Sequence, residues 1–135
     1  MNKIKWISLL LSASYILSLF GYWKGIDASL DFQRGIDIIG LYPVFIIGLS
    51  VATFGFFKKD AVIASYIGVA ILIIGEVAYL LDWKHIFQGI NLTYSMKHIH
   101  FSAIISLVCA TALLFIAVLQ QKYNKKCLID STTSM

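Results

Sequence analysis

Apolar residues fall into four long runs along the chain, separated by short stretches where charged, aromatic and small polar residues gather. The runs cover residues 6–23, 38–57, 61–81 and 101–120. Each is close to the ~20 residues that a helix needs to cross the ~30 Å hydrocarbon core of a bilayer. Between them lie a loop at 24–37, a turn of Lys58, Lys59 and Asp60, and a loop at 82–100. No segment outside the runs is large enough to build a core of its own. The pattern predicts an all-α membrane protein, one integral domain over residues 1–135 with four transmembrane helices in an antiparallel bundle.

Composition sharpens this picture. Of 135 residues, 59% are hydrophobic and 13% are charged, with a mean hydropathy of +0.83. A soluble domain carries about 25% charge, so the apolar excess has to face lipid. That excludes a soluble enzyme, a nucleic-acid reader and a disordered tail. The formal charge of +4 is then informative through its distribution between the two sides. Lys3, Lys5, Lys58, Lys59, Lys122, Lys125 and Lys126 fall on one side; Lys24, Arg34, Lys84 and Lys97 fall on the other. By the positive-inside rule both termini are cytoplasmic and the 24–37 and 82–100 loops are outside. Trp6, Trp23 and Trp83 sit at the expected interfaces, with Tyr22, Tyr42 and Tyr123 near span ends. The basic start and first run have the outline of a leader peptide, but the run ends in bulky Phe20, Tyr22 and Trp23 without a small-x-small site, so it is read as a retained span. Lysine-over-arginine usage and abundant isoleucine point to an AT-rich bacterial genome, and so to the inner (cytoplasmic) membrane.

Lipid supplies no hydrophobic drive between helices, so association needs small residues that let backbones approach. At about 100° per residue each span collects such residues on one stripe. They are Ser14, Ser18 and Gly21; Gly48, Ala52 and Gly55; Ala61, Ala64, Ser65, Gly68 and Gly75; and Ser102, Ser106, Cys109, Ala110 and Ala117. A compact bundle, or a homodimer seam on one stripe, would use them. Pro43 falls near the outer start of the second span, where a missing amide costs least.

Candidate chemistry is sparse. Glu76 is the one ionisable residue well inside a run, six residues before Asp82 and so about 9 Å deeper. An acid there costs ~2–3 kcal/mol on insertion scales, which the surrounding Ile, Leu and Val offset. On the helical wheel it neighbours Tyr79 and lines up with Asp82, and His98 extends the inward stripe of the fourth span, so Glu76, Tyr79, Asp82 and His98 form a candidate polar cluster toward the outer mouth. His85, His98 and His100 share the second outer loop and are weak metal candidates: His98 and His100 diverge by about 200° on a helix and make no chelate alone. Trp83, Ile86, Phe87 and Ile90 recur at helical spacing, as in a surface-lying helix. Asp27, Asp31 and Asp37 match no calcium loop. There is no phosphate loop, HExxH, GxSxG or CxxC.

Three functions are consistent with these features. The first is contact of the helices with another membrane protein or peptide, as an accessory subunit or an immunity-type protective protein, without enzymatic activity or cofactor. The second is a small transporter or proton-coupled carrier using Glu76, which needs a homo-oligomer because four helices scarcely enclose a pathway. The third is a membrane haem or metal protein using His98 with His85 or a histidine of a second chain.

Overall fold

Helix formation follows the apolar runs in the computed structural model, which describes residues 2–24, 33–37, 43–58, 60–80 and 99–133. The described residues are mostly helical: α1 (Asn2–Ser18), α2 (Val44–Phe57), α3 (Val62–Leu80) and α4 (Phe101–Thr133). A small antiparallel pair joins β1 (Tyr22–Lys24) to β2 (Gln33–Arg34), with Tyr22 opposite Arg34 and Lys24 opposite Gln33. Pro43 caps α2 with helical dihedrals, and its carbonyl accepts the Ile47 amide at 3.0 Å. Its missing N–H falls at a position that has no intrahelical acceptor anyway.

The helices pack as a ring, α1 on α2, α2 on α3, α3 on α4 and α4 on α1. Contacts at both ends show the neighbours to be antiparallel. Lys5 at the start of α1 lies 5.8 Å from the Phe57 ring centroid at the end of α2. Ser65 near the start of α3 bonds Gln120 far along α4. The His100 amide, just before α4, donates to the Trp23 carbonyl just after α1.

Small residues set the closest approach. A Cβ on Gly68 of α3 would fall on the Ala52 backbone of α2, 2.6 Å from its Cα and from the Gly48 carbonyl oxygen. Gly55 stands against Ser65 in the same seam, and a Cβ there would lie 2.8 Å from the Ser65 Cα. Gly75, further along α3, faces the Phe45 ring, where a Cβ would make a tight contact of 3.3 Å with Cε1. Ser102 on α4 stands against Gly21, just past the end of α1, and Ser106 is wholly buried.

The interior mixes large apolar side chains such as Trp23, Phe45, Phe56, Leu72 and Leu113 with small and polar ones, while many other large apolar side chains face outward. Leu17, Ile63 and Phe101 are 70%, 75% and 75% exposed, whereas Ser8, Ser65, Glu76, Ser106 and Gln120 are buried. Val62–Leu80 and the Phe101–Lys125 part of α4 are long and apolar enough to cross a membrane, with mean hydropathies of 2.0 and 2.6. On length and composition these two helices point to membrane association. Val44–Phe57 is apolar but shorter.

Four boundaries differ from the sequence reading by more than one residue; α1 begins at Asn2 rather than at residue 6, and α2 begins at Val44, after its Pro43 cap, rather than at residue 38. The first helix ends at Ser18 rather than at residue 23. Leu19, Phe20 and Gly21 donate to Ile16, Leu17 and Ser18 carbonyls in a tightening turn, and the aromatic Tyr22 and Trp23 then enter the strand pair. Trp23 is therefore fully buried instead of lying at an interface. The 24–37 loop accordingly contains β2, and Asp37 accepts the Arg34 amide at 3.3 Å. The Arg34 guanidinium stacks 5.4 Å from the Tyr22 ring centroid, and a hydrogen bond with Tyr22 raises its pKa further above the usual value. At the other end, α4 runs to Thr133 rather than stopping at residue 120. Hydropathy falls after Gln120, but Gln121, Lys122 and Lys125 are good helix formers, so the helix outlasts the apolar run.

Candidate functional site

Glu76 sits one turn before the end of α3 with no exposed surface. The groups around it come from α1 and α4: the Tyr15 and Ser106 hydroxyls flank the carboxyl, and Cys109 lies close enough to feel its charge. Tyr15 is also fully buried. Both hydroxyls stand within hydrogen-bonding reach of the carboxyl, yet neither Glu76 oxygen nor the Tyr15 hydroxyl makes a well-aligned hydrogen bond among the described residues. Ser106 Oγ donates to its own helix, to the Ala103 carbonyl at 2.8 Å, which leaves its oxygen only as an acceptor toward Glu76. Two ionisable side chains from different helices thus face each other in the core without a well-formed bond between them. Buried polar groups are normally paired, and an unpaired one costs ~1–3 kcal/mol.

Trp23 covers this end of the bundle. Its ring meets Phe45 of α2 edge-on at 5.8 Å and Tyr79 of α3 at 6.0 Å. The indole Nε1 donates to the Ser18 carbonyl at 2.9 Å, which fixes the ring across the end of α1. Gly35 stands against this indole, and a Cβ there would lie 2.7 Å from Nε1. Tyr79 is one turn beyond Glu76 on the same helix and so lies between the carboxyl and the covering tryptophan in sequence register.

A second polar layer lies near the opposite end. The Gln120 side chain donates from Nε2 to the Gly55 carbonyl at 3.0 Å and accepts at Oε1 from Ser65 Oγ at 3.0 Å. One amide thereby ties α4 to both α2 and α3. Beside it the Tyr66 hydroxyl donates to Gln121 Oε1 at 3.0 Å.

Of the cluster expected from sequence, Glu76 and Tyr79 are placed as above, whereas Asp82 and His98 lie outside the described residues. His85, the 83–91 surface helix and Asp27 and Asp31 also lie outside them. His100 stands at the root of α4 with its ring 6.4 Å from Tyr22. Among the described residues no three His, Cys, Asp or Glu side chains gather as metal ligands. The helical wheel of the first span selected Ser14, Ser18 and Gly21, but the buried face of α1 is Ser8, Ser12, Tyr15 and Ser18. The phenol opposite Glu76 was therefore missed, as was Gln120, which closes the apolar run and resembles a helix end. No protein-family model, curated protein or solved structure matches the chain.

Proposed function

We propose that the chain is a four-span protein of a bacterial cytoplasmic membrane, with both termini inside, whose working group is the Glu76 carboxyl. In this reading it is a small carrier that takes up and releases a proton or small cation at Glu76. The membrane assignment is supported by the many large apolar side chains left exposed on the outside of the bundle, Trp6, Leu10, Leu17, Ile63, Ile74 and Phe101 among them, while serine, glutamine and glutamate are found within. The observation that carries the carrier reading is the facing pair Glu76 and Tyr15, buried together from different helices with no well-aligned hydrogen bond. An acid retained inside an apolar bundle without a well-aligned structural bond is accounted for by a role in binding. Four close-packed helices enclose no pathway of their own, so a second copy completes the route.

The reading makes a simple experimental demand. Reconstituted into proteoliposomes with a pH-sensitive dye inside, the chain should dissipate an imposed proton or sodium gradient. Glu76→Gln should reduce the rate at least tenfold. Equal rates in the two proteins, or no flux above empty vesicles, would remove the carrier reading.

Contact with another membrane protein or peptide is the second reading. It is favoured by the outward face of α1, where Trp6, Leu10 and Leu17 are exposed together. The glycine stripes do not add to it: Gly48, Gly55 and Gly68 are already used between α2 and α3. A partner co-purifying in fixed ratio, from membranes in which Glu76→Gln retains full biological function, would favour this reading over the carrier.

A further inference from the structure

The first turns of α1 and the last turn of α2 frame an open groove of about 190 Å³ lined by Lys5, Trp6, Leu9 and Phe57. Its chemistry is graded along α1. Lys5 stands at one end with its ammonium 5.8 Å from the Phe57 ring centroid, and Trp6 beside it is 67% exposed. Leu9 continues the groove one turn further along the helix, about 6 Å on. The same end of the bundle carries a dense positive charge. Lys3, Lys58, Lys122 and Lys125 join Lys5 there, with Asp60 and, further along α4, Asp130 as the acids. The Lys58 ammonium lies 5.3 Å from the Phe54 ring centroid, on the neighbouring part of α2.

We propose that this groove is a binding site for one anionic phospholipid, with the headgroup phosphate on Lys5 and part of an acyl chain laid along Trp6, Leu9 and Phe57. Three features select this occupant. A cation at the rim with an apolar floor matches a headgroup joined to a chain, and a tryptophan beside the cation sits where indoles favour the interface. The groove is large enough to admit a stretch of hydrocarbon. The surrounding lysines favour an anionic over a zwitterionic headgroup. The site rests on the four-span reading, because it needs the start of α1 and the end of α2 at one membrane surface.

The test is native mass spectrometry of the full chain in mild detergent, titrated with phosphatidylglycerol and phosphatidylcholine carrying identical acyl chains. The first bound lipid should favour phosphatidylglycerol about fivefold, the weight of one lysine at an anionic surface. Lys5→Gln should bring the ratio close to one, while Lys125→Gln, on α4, should leave it unchanged. Phosphatidylglycerol with brominated chains should quench a tryptophan component that Trp6→Phe removes. Equal binding of the two lipids by the parent chain would overturn the site. So would a loss in Lys125→Gln as large as in Lys5→Gln, which would reduce it to diffuse charge. A bound peptide or second copy that displaces the lipid would assign the groove to a protein partner instead. Any of these leaves the four-span reading standing, whereas release of the chain from membranes by alkaline washing would sink both.

Discussion

Two buried polar layers divide the bundle, and they are built on opposite terms. Around Gln120 each half of one amide has a partner at 3.0 Å, so α2, α3 and α4 are tied through a single side chain. Around Glu76 two more costly groups, a carboxyl and a phenol, are buried together and neither makes a well-aligned hydrogen bond among the described residues. The first arrangement stabilises the fold. The second is expected to stabilise the fold less, which is why the proposed carrier reading places the working group there.

The difference can be broken by substitution, and the largest effect belongs to the α2–α3 seam on which the Gln120 layer closes. Gly68→Leu would drive a side chain into the Ala52 backbone. Because backbone on both sides cannot yield, the folded chain should be lost from detergent extracts, as size-exclusion chromatography would register. Tolerance of leucine there would mean that α2 and α3 do not meet as described.

Replacing Gln120 by Met removes two buried hydrogen bonds and strands the Gly55 carbonyl. Bonds of this kind average ~0.6 kcal/mol in membrane proteins, and a stranded acceptor adds to the cost, so destabilisation of ~1–2 kcal/mol is expected in a denaturant titration. Ser65→Ala removes one of the two and should cost about half as much. At the other layer the sign reverses. Tyr15→Phe deletes a hydroxyl that makes no well-aligned bond and should leave stability within ~0.5 kcal/mol of the parent or above it. A loss of more than 1 kcal/mol would mean that the hydroxyl is bonded after all.

Much of the architecture is readable from hydropathy, and the places where it is not are instructive. The third run, 61–81, differs from α3 by one residue at each end, because a continuous apolar segment bounded by charges leaves the helix little freedom. The fourth run fails at its far end because lipid thickness limits an apolar segment but not a helix, and Gln-rich and Lys-rich sequence continues the same backbone. The strand pair at Tyr22 and Arg34 is invisible for another reason: it spans only a few residues, and Tyr22 depends on a partner 12 positions away.

The site shows the same limit. Glu76 could be singled out because a carboxylate in an apolar run is costly wherever its neighbours lie. Tyr15 could not, since a tyrosine in a span is common, and its meeting with Glu76 depends on how α1 rotates against α3, a tertiary fact. Gln120 carried a faint signal. It is a polar residue at the close of an apolar stripe that includes Ala110 and Ala117, and it comes to face Gly55 and Ser65 once the ring closes.

The most direct test of the contrast is a matched pair, Gln120→Met and Glu76→Met, whose unfolding temperatures are measured in the same detergent beside the parent. Both changes replace a buried polar side chain by an apolar one of similar length. The account predicts that Gln120→Met unfolds below the parent while Glu76→Met unfolds at or above it. A Glu76→Met chain that melts as far below the parent as Gln120→Met would contradict it, and would make Glu76 a structural tie like Gln120.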